Sequence, residues 1–238
     1  MLNIVQASIS SSLPRKPSLS WRQRQTSTSL ADWLDIRGGD YQEESILPQQ
    51  QAVPPLEFAH GTTTLSFAFQ GGIIVAVDSR ASLGSFVGSK TVQKVLPVSS
   101  HVLGTMAGGA ADCQFWIRKV KAESLLHELR QGGKRMSVAR VSRILSNYMY
   151  GARGLGLSVG TMIAGWDAKG PQIYYVDNTG TRIKGDLFAV GSGGTFALSI
   201  LDTQTKRHDL TEDEAIQLGI KAIRHATFRD AYSGGFIN

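Results

Sequence analysis

The sequence predicts an α+β domain of antiparallel sheets with helices packed outside them, preceded by a leader. Three observations carry this. Strand-like and helix-like stretches are segregated in the order strands, two helices, strands, two helices. The helical stretches repeat apolar residues at helical spacing. Proline divides the chain unevenly: five of the seven lie before residue 62, in a start rich in Ser and Gln, and only Pro97 and Pro171 follow. That shift marks a boundary near residue 60.

The elements follow in order. Residues 1–58 lack sustained periodicity, and only Leu30 to Ile36 suits a short turn of helix. Thr62 to Phe69 alternates with a period near two, Gln70-Gly71-Gly72 is a turn, and Ile73 to Val77 is an apolar β-branched run, which together read as a β-hairpin. Val95 to Val98 and Val102 to Met106 read as two more strands. Residues 109–130 read as a helix with Cys113, Trp116, Ile117 and Val120 on one face, stopped by Gly132-Gly133. Ser137 is the expected N-cap of a second helix bearing Val138, Val141, Leu145 and Tyr148, closed by Gly151 to Gly156. Strands return at Val159–Trp166, Gln172–Val176, Thr181–Lys184 and Leu187–Val190, separated at Asp167–Gly170 and Asp177–Gly180 by turns. A third helix follows Gly194, and a fourth begins at the capping box Thr211-Glu212-Asp213-Glu214 and runs to about Phe228.

Composition narrows the function. A chain of 238 residues fits one domain plus an appendage, and 42% hydrophobic residues suffice for a core. The net charge is +6, but residues 1–61 hold five basic and six acidic side chains, so the excess lies beyond them. Its clusters, Arg118, Lys119 and Lys121, then Lys134, Arg135, Arg140 and Arg143, lack aromatic interleaving or a reader motif. They read as solvated or subunit-contacting faces, not a nucleic-acid site. Cys113 is the only cysteine, which excludes an intrachain disulfide, fits a reducing compartment, and reads as a small buried hydrophobe rather than a nucleophile. No apolar run approaches the ~20 residues that span a bilayer, so no membrane partner is expected. The first 31 residues carry Arg15, Lys16, Arg22 and Arg24, many serines and no acid, a composition shared by organelle transit peptides and by propeptides or other tails.

The chemistry-bearing residues begin at the boundary. His60-Gly61-Thr62 places a Gly–Thr bond where linker gives way to strand. The Thr62 hydroxyl can attack the unhindered Gly61 carbonyl, move the acyl group from nitrogen to oxygen, and leave water to finish the cut. The new chain would start at Thr62 with a free α-amine of pKa about 8, a general base on the nucleophile's own residue. Asp78 ends the second hairpin strand and is expected beside Thr62. Lys94 opens a later strand, where its charge favours a deprotonated hydroxyl and Asp78 holds it. Gly108-Gly109, at a strand-to-helix junction after Met106, offers backbone N–H groups to an oxyanion. Gly191-Ser192-Gly193-Gly194 lacks the Lys-Ser/Thr of a phosphate loop and is not a nucleotide site. Arg229-Asp230-Ala231-Tyr232-Ser233 offers a carboxylate and a hydroxyl to anchor an amine. His127-Glu128 lacks the second histidine of a zinc motif, and no metal or cofactor is expected.

Four blocks, TTTLSFAFQGGIIVAVDSRAS, LGTMAGGAADCQFW, YYVDNTGTRIKGDLFAVGSG and HATFRDAYSGG, spread over about 62 to 236, resemble the proteasome β subunits, most closely those of β type-5. The resemblance implies a four-layer α/β/β/α sandwich of the N-terminal nucleophile hydrolases, a propeptide at 1–61, and a catalytic domain at 62–238. It implies Thr62 as nucleophile, Asp78 and Lys94 beside it, Gly108 as oxyanion donor, and Ser192, Asp230 and Ser233 around the amine. Arg80 would belong to the site framework, and Ala81, Val92, Met106 and Ala110 would line the primary specificity pocket. Substrate would extend along the Ser82 and Gly108 backbone as an added strand. The implied activity is cleavage after large hydrophobic residues in ubiquitin-dependent degradation of unfolded chains. The implied partners are β and α subunits in stacked seven-membered rings, in cytoplasm and nucleus. Self-cleavage would fall at Gly61–Thr62.

Three departures accompany the resemblance. The sequence stops at Asn238, where the family continues through a strand, a helix and a tail, which suggests an unpaired sheet edge and, as the alternative function, a non-catalytic or assembly-defective variant. Phe228 stands where histidine is usual, and Leu198-Ser199 where an aromatic residue and glycine are usual.

Overall fold

A computed structural model of the chain describes residues 61–204 and 207–238. The expected leader, apart from Gly61, and the turn of helix at 30–36 lie outside them. The described elements are β1 (Thr64–Phe69), β2 (Gly72–Val77), β3 (Ala81–Leu83), β4 (Phe86–Ser89), β5 (Val95–Ser99), β6 (Val102–Thr105), β7 (Ala107–Gly108), α1 (Ala110–Arg130), α2 (Val138–Gly151), β8 (Val159–Asp167), β9 (Gly170–Asp177), β10 (Arg182–Gly185), β11 (Leu187–Val190), α3 (Gly194–Leu201) and α4 (Glu212–Arg229).

The expected hairpin forms: β1 and β2 pair antiparallel from Thr64↔Val77 to Phe69↔Gly72. Strand β11 pairs with the other edge of β1, giving the sheet order β11-β1-β2. A second antiparallel sheet runs β10-β9-β8-β6-β5, with β7 also on β8. Pro97 sits in β5, an edge strand, where a missing N–H is tolerated, and the register shifts beside it. The short hairpin β3–β4 stands apart from both sheets.

Burial resolves the layers. Leu65, Phe67 and Ala76 of the first sheet pack with Ala197 and Leu201 of α3 and Leu218, Ala222 and Ile223 of α4. Ile163, Tyr174 and Val176 of the second sheet pack with Cys113, Ile117 and Val120 of α1 and Val138, Val141 and Leu145 of α2. Between the sheets, Ala68 meets Ala164 and Ile173, with Val75 and Phe188 against them. The order is therefore helices, sheet, sheet, helices, the expected four-layer sandwich of an α+β domain. Both sheets are covered on both faces, which is why β1 is buried along all six residues rather than alternately.

The helix ends follow local chemistry. Ser137 caps α2 by accepting from Arg140 N. Thr211 and Glu214 form the complete capping box of α4. Gly132 and Gly133, both in the left-handed region, turn the chain away after α1.

Candidate active site

The hairpin register brings the first site residues together. Because Thr64 pairs with Val77, Thr62, Thr63 and Asp78 lie just past the paired end, where Asp78 N donates to Thr63 O at 3.1 Å. Thr63 N donates in return to Asp78 Oδ1 at 3.0 Å. Lys94 directly precedes β5, and its carbonyl accepts from Met106 N at 2.8 Å, which fixes it to the end of β6. From there its Nζ reaches Asp78 Oδ1 at 2.6 Å and Thr62 Oγ1 at 2.9 Å. Thr62 Oγ1 in turn donates to Gly61 O at 2.7 Å. A single line of hydrogen bonds thus runs from carboxylate to ammonium to hydroxyl to the carbonyl of the Gly61–Thr62 bond, and Asp78 and Lys94 are nearly closed to solvent.

A second network surrounds the Thr62 nitrogen. It donates to Ser192 Oγ at 3.2 Å, and Ser192 Oγ donates to Asp230 Oδ2 at 2.5 Å. Ser233 Oγ donates to the same oxygen at 2.6 Å and lies 2.7 Å from Thr63 Oγ1. A serine hydroxyl has one hydrogen, so Thr63 is the donor in that last pair. Gly193 N donates to Thr62 O at 3.3 Å. The glycines at 191 and 193 are there for close approach: an added Cβ would fall 2.0 Å from Thr62 O at Gly191 and 1.9 Å from Thr63 Oγ1 at Gly193. This glycine-rich loop grips the threonines.

Asp78 is saturated with donors. Oδ1 takes Thr63 N and Lys94 Nζ, and Oδ2 takes Gly234 N at 2.9 Å and Arg80 N at 3.2 Å. Arg80 Nη1 donates to Ala231 O at 2.9 Å, and the Ser79 and Arg80 N–H groups both donate to Gly234 O. Arg80 and Ser79 therefore clamp the 231–236 segment beneath the site.

The remaining expected residues are placed as follows. Met106 is buried, and Val92 packs against the same core cluster. Ala81 pairs with Ser89 in the β3–β4 hairpin, and Ala110 opens α1 at the surface. Ser82 Oγ accepts from Gly61 N at 3.3 Å. Gly108 adopts φ +103°, and a Cβ there would lie 2.5 Å from Ser158 O. Gly108, Ser158, Val159, Val190 and Gly191 line one open depression, which joins the expected oxyanion donor to the loop that grips Thr62.

The site also uses Thr63, Ser79, Gly193 and Gly234, to which sequence reasoning assigns no role. Thr63 and Ser79 are polar and buried, at 0% and 1% exposure. A buried polar residue beside a strand end is the signal that marks them, but it needs burial to be read.

Burial and charge oppose one another at Lys94. Burial pushes its pKa below the ordinary lysine value, and the neighbouring Asp78 carboxylate pulls against that shift. Burial also pushes the Cys113 thiol up to about 11, so this cysteine is a protonated core residue, as expected.

The family profile "Proteasome subunit" matches residues 58–238. The chain belongs to the proteasome subunit family. It is 53% identical over 200 residues to "Proteasome subunit beta type-5" of Dictyostelium discoideum, covering 84% of this chain and 72% of that protein. It is 53% identical over 187 residues to the type-5-A subunit of Arabidopsis thaliana, covering 79% and 68%. The rat type-8 subunit is 50% identical over 200 residues, covering 84% and 69%. The proteasome-family resemblance and the four-layer fold expected from the sequence are thus both met.

Proposed function

We propose that the chain is a catalytic β-type subunit of the proteasome core, a threonine endopeptidase whose nucleophile is Thr62 after self-removal of the leader at Gly61–Thr62. One observation carries this reading: Lys94 Nζ lies between Asp78 and Thr62 Oγ1, and that hydroxyl donates to the Gly61 carbonyl.

Self-cleavage proceeds in balanced steps. Lys94 first loses a proton to solvent and the Thr62 hydroxyl turns its hydrogen from Gly61 O to Nζ; the neutral amine then takes that proton, and the oxygen bonds to the Gly61 carbonyl carbon. The Gly61 C–Thr62 N bond then breaks, and the nitrogen takes the proton back from Lys94 to become a free amine. Water hydrolyses the ester, leaving a carboxylate on the leader and the hydroxyl on Thr62. In the mature subunit the amine, held by Ser192 and Asp230, serves as the base for the same hydroxyl. The Gly108 N–H stabilises the oxyanion.

The finer reading follows the family. Met106 and Val92, with Ala81 and Ala110, form the pocket for the residue before the cut, which selects large apolar side chains. Substrate lies along the Ser82 and Gly108 backbone. The subunit works in stacked seven-membered β and α rings, in cytoplasm and nucleus, degrading unfolded, ubiquitin-marked chains.

The test is intact-mass and N-terminal analysis of the protein from its own cells, with peptide hydrolysis measured on the same particle. A chain starting at Thr62 that cleaves after large apolar residues supports the reading. A chain still bearing its leader, without peptidase activity, overturns it.

A further inference from the structure

The residue on the far side of the scissile bond is enclosed by atoms of this chain. Gly61 is buried. Its N–H donates to Ser82 Oγ, and its carbonyl accepts from Thr62 Oγ1. Against its α-carbon lies Tyr232. A Cβ built on Gly61 would fall 1.6 Å from Tyr232 Cβ, 2.6 Å from its Cγ and 2.8 Å from its Cα. Separations under 3.0 Å require something to move, and these atoms are the backbone and stem of the tyrosine rather than its far end. Tyr232 is itself fixed: its N–H donates to Asp230 Oδ1 at 3.2 Å, and the preceding carbonyl is held by Arg80. The three atoms nearest that added Cβ all belong to Tyr232, and none to the pocket residues Val92 or Met106.

We propose that Tyr232 is the residue that restricts the self-cleaved bond to glycine, by occupying the space into which any side chain at position 61 would project. This rests on the reading of Thr62 as the nucleophile of self-cleavage. It adds a positioning and specificity role to a residue that takes no part in the proton transfers. It also separates two selections made by one hydroxyl. The leader presents a side-chain-free residue against Tyr232, whereas a substrate residue with a large side chain must direct that side chain elsewhere. Substitution at Gly61 forces the carbonyl off the Thr62 hydroxyl, and a displacement of about 1 Å at a reacting pair slows reaction by about a hundredfold.

The experiment follows leader release by mass in the full chain, produced in the cells that assemble it, for four variants. Gly61→Ala is expected to retain its leader. Gly61→Ala with Tyr232→Ala is expected to retain it as well, because the Cβ at 1.6 Å remains. Gly61→Ala with Tyr232→Gly is expected to recover release, because the side-chain atoms in the way are gone and a small shift of the backbone clears the rest. Tyr232→Gly alone, with Gly61 intact, is expected to release its leader, which shows that the domain still folds. Normal release by Gly61→Ala, no recovery in the glycine double variant, or failure of Tyr232→Gly alone would overturn the inference. Thr62→Ala is run alongside: leader lost at Gly61 from that variant overturns the nucleophile reading instead, so the two failures are distinct.

Discussion

Lys94 Nζ stands 2.6 Å from Asp78 Oδ1, with the two side chains 4% and 0% exposed. A buried pair is not in itself a source of stability, because desolvation offsets its attraction, but removing one partner leaves a bare charge. Here the carboxylate is secured by three backbone N–H groups besides the lysine, from positions 63, 80 and 234. Asp78 is thus a fixed anchor for the Lys94 ammonium.

Lys94→Arg separates a charge role from a proton-transfer role. Arginine keeps the positive charge and does not deprotonate. Leader release is expected to fall by about a hundredfold or more, the usual worth of a positioned acid–base group, with Lys94→Ala no better. Release at the wild-type rate by the arginine variant, followed by mass, would refute proton transfer through Lys94.

The lowered pKa of Lys94 has a sign for stability. Between the folded value and the ordinary 10.5, the unfolded chain binds more protons than the folded one. Stability therefore rises with pH through that window, and the penalty is fully present below the folded value. Lys94→Met removes this rise. The denaturant midpoint of the wild type, measured from neutral to alkaline pH, is expected to rise relative to that of Lys94→Met.

Asp230→Asn weakens the acceptor of two hydroxyls, Ser192 and Ser233, and with them the hold on the Thr62 nitrogen. Hydrogen bonds to a charged group contribute about 1.5–3 kcal/mol, so a clear drop in melting temperature is expected together with slower peptide hydrolysis. Thr63→Val, which removes only the donor to Ser233, is expected to lower stability by about 1 kcal/mol.

Met106→Ala tests the pocket. A buried methionine truncated to alanine destabilises by about 2–5 kcal/mol. In the particle, the preference among apolar residues before the cut is expected to move toward larger ones, read from relative kcat/KM for a peptide series. An unchanged preference would remove Met106 from the pocket.

Much of the fold is legible in the sequence because its elements bury one sharply defined stripe or sit between strong stops. The helix α2, with Val138, Val141, Leu145 and Met149 buried, and the capping box at Thr211 are examples. The β3–β4 hairpin is not legible: it is three and four residues long and exposes Leu83, Phe86 and Val87, so neither length nor alternation announces it. In the site, Asp78 and Lys94 are legible from strand ends. Ser79 and Gly234 are not, because their role comes from a main-chain hydrogen bond between segments far apart in the chain, which no local pattern records. Tyr232 sits inside a legible motif without declaring itself, since its effect is the volume it fills.

The bond from Gly234 N to Asp78 Oδ2 spans 156 positions. Pairings of that separation form late, after the loop between them has closed. During synthesis the threonine, its aspartate and its lysine leave the ribosome early, while the segment that completes their cradle emerges only after α4. Asp78 therefore gains its last donor long after it is made, and on the proposed reading of Thr62 as nucleophile a nascent chain carries that group in an unfinished form.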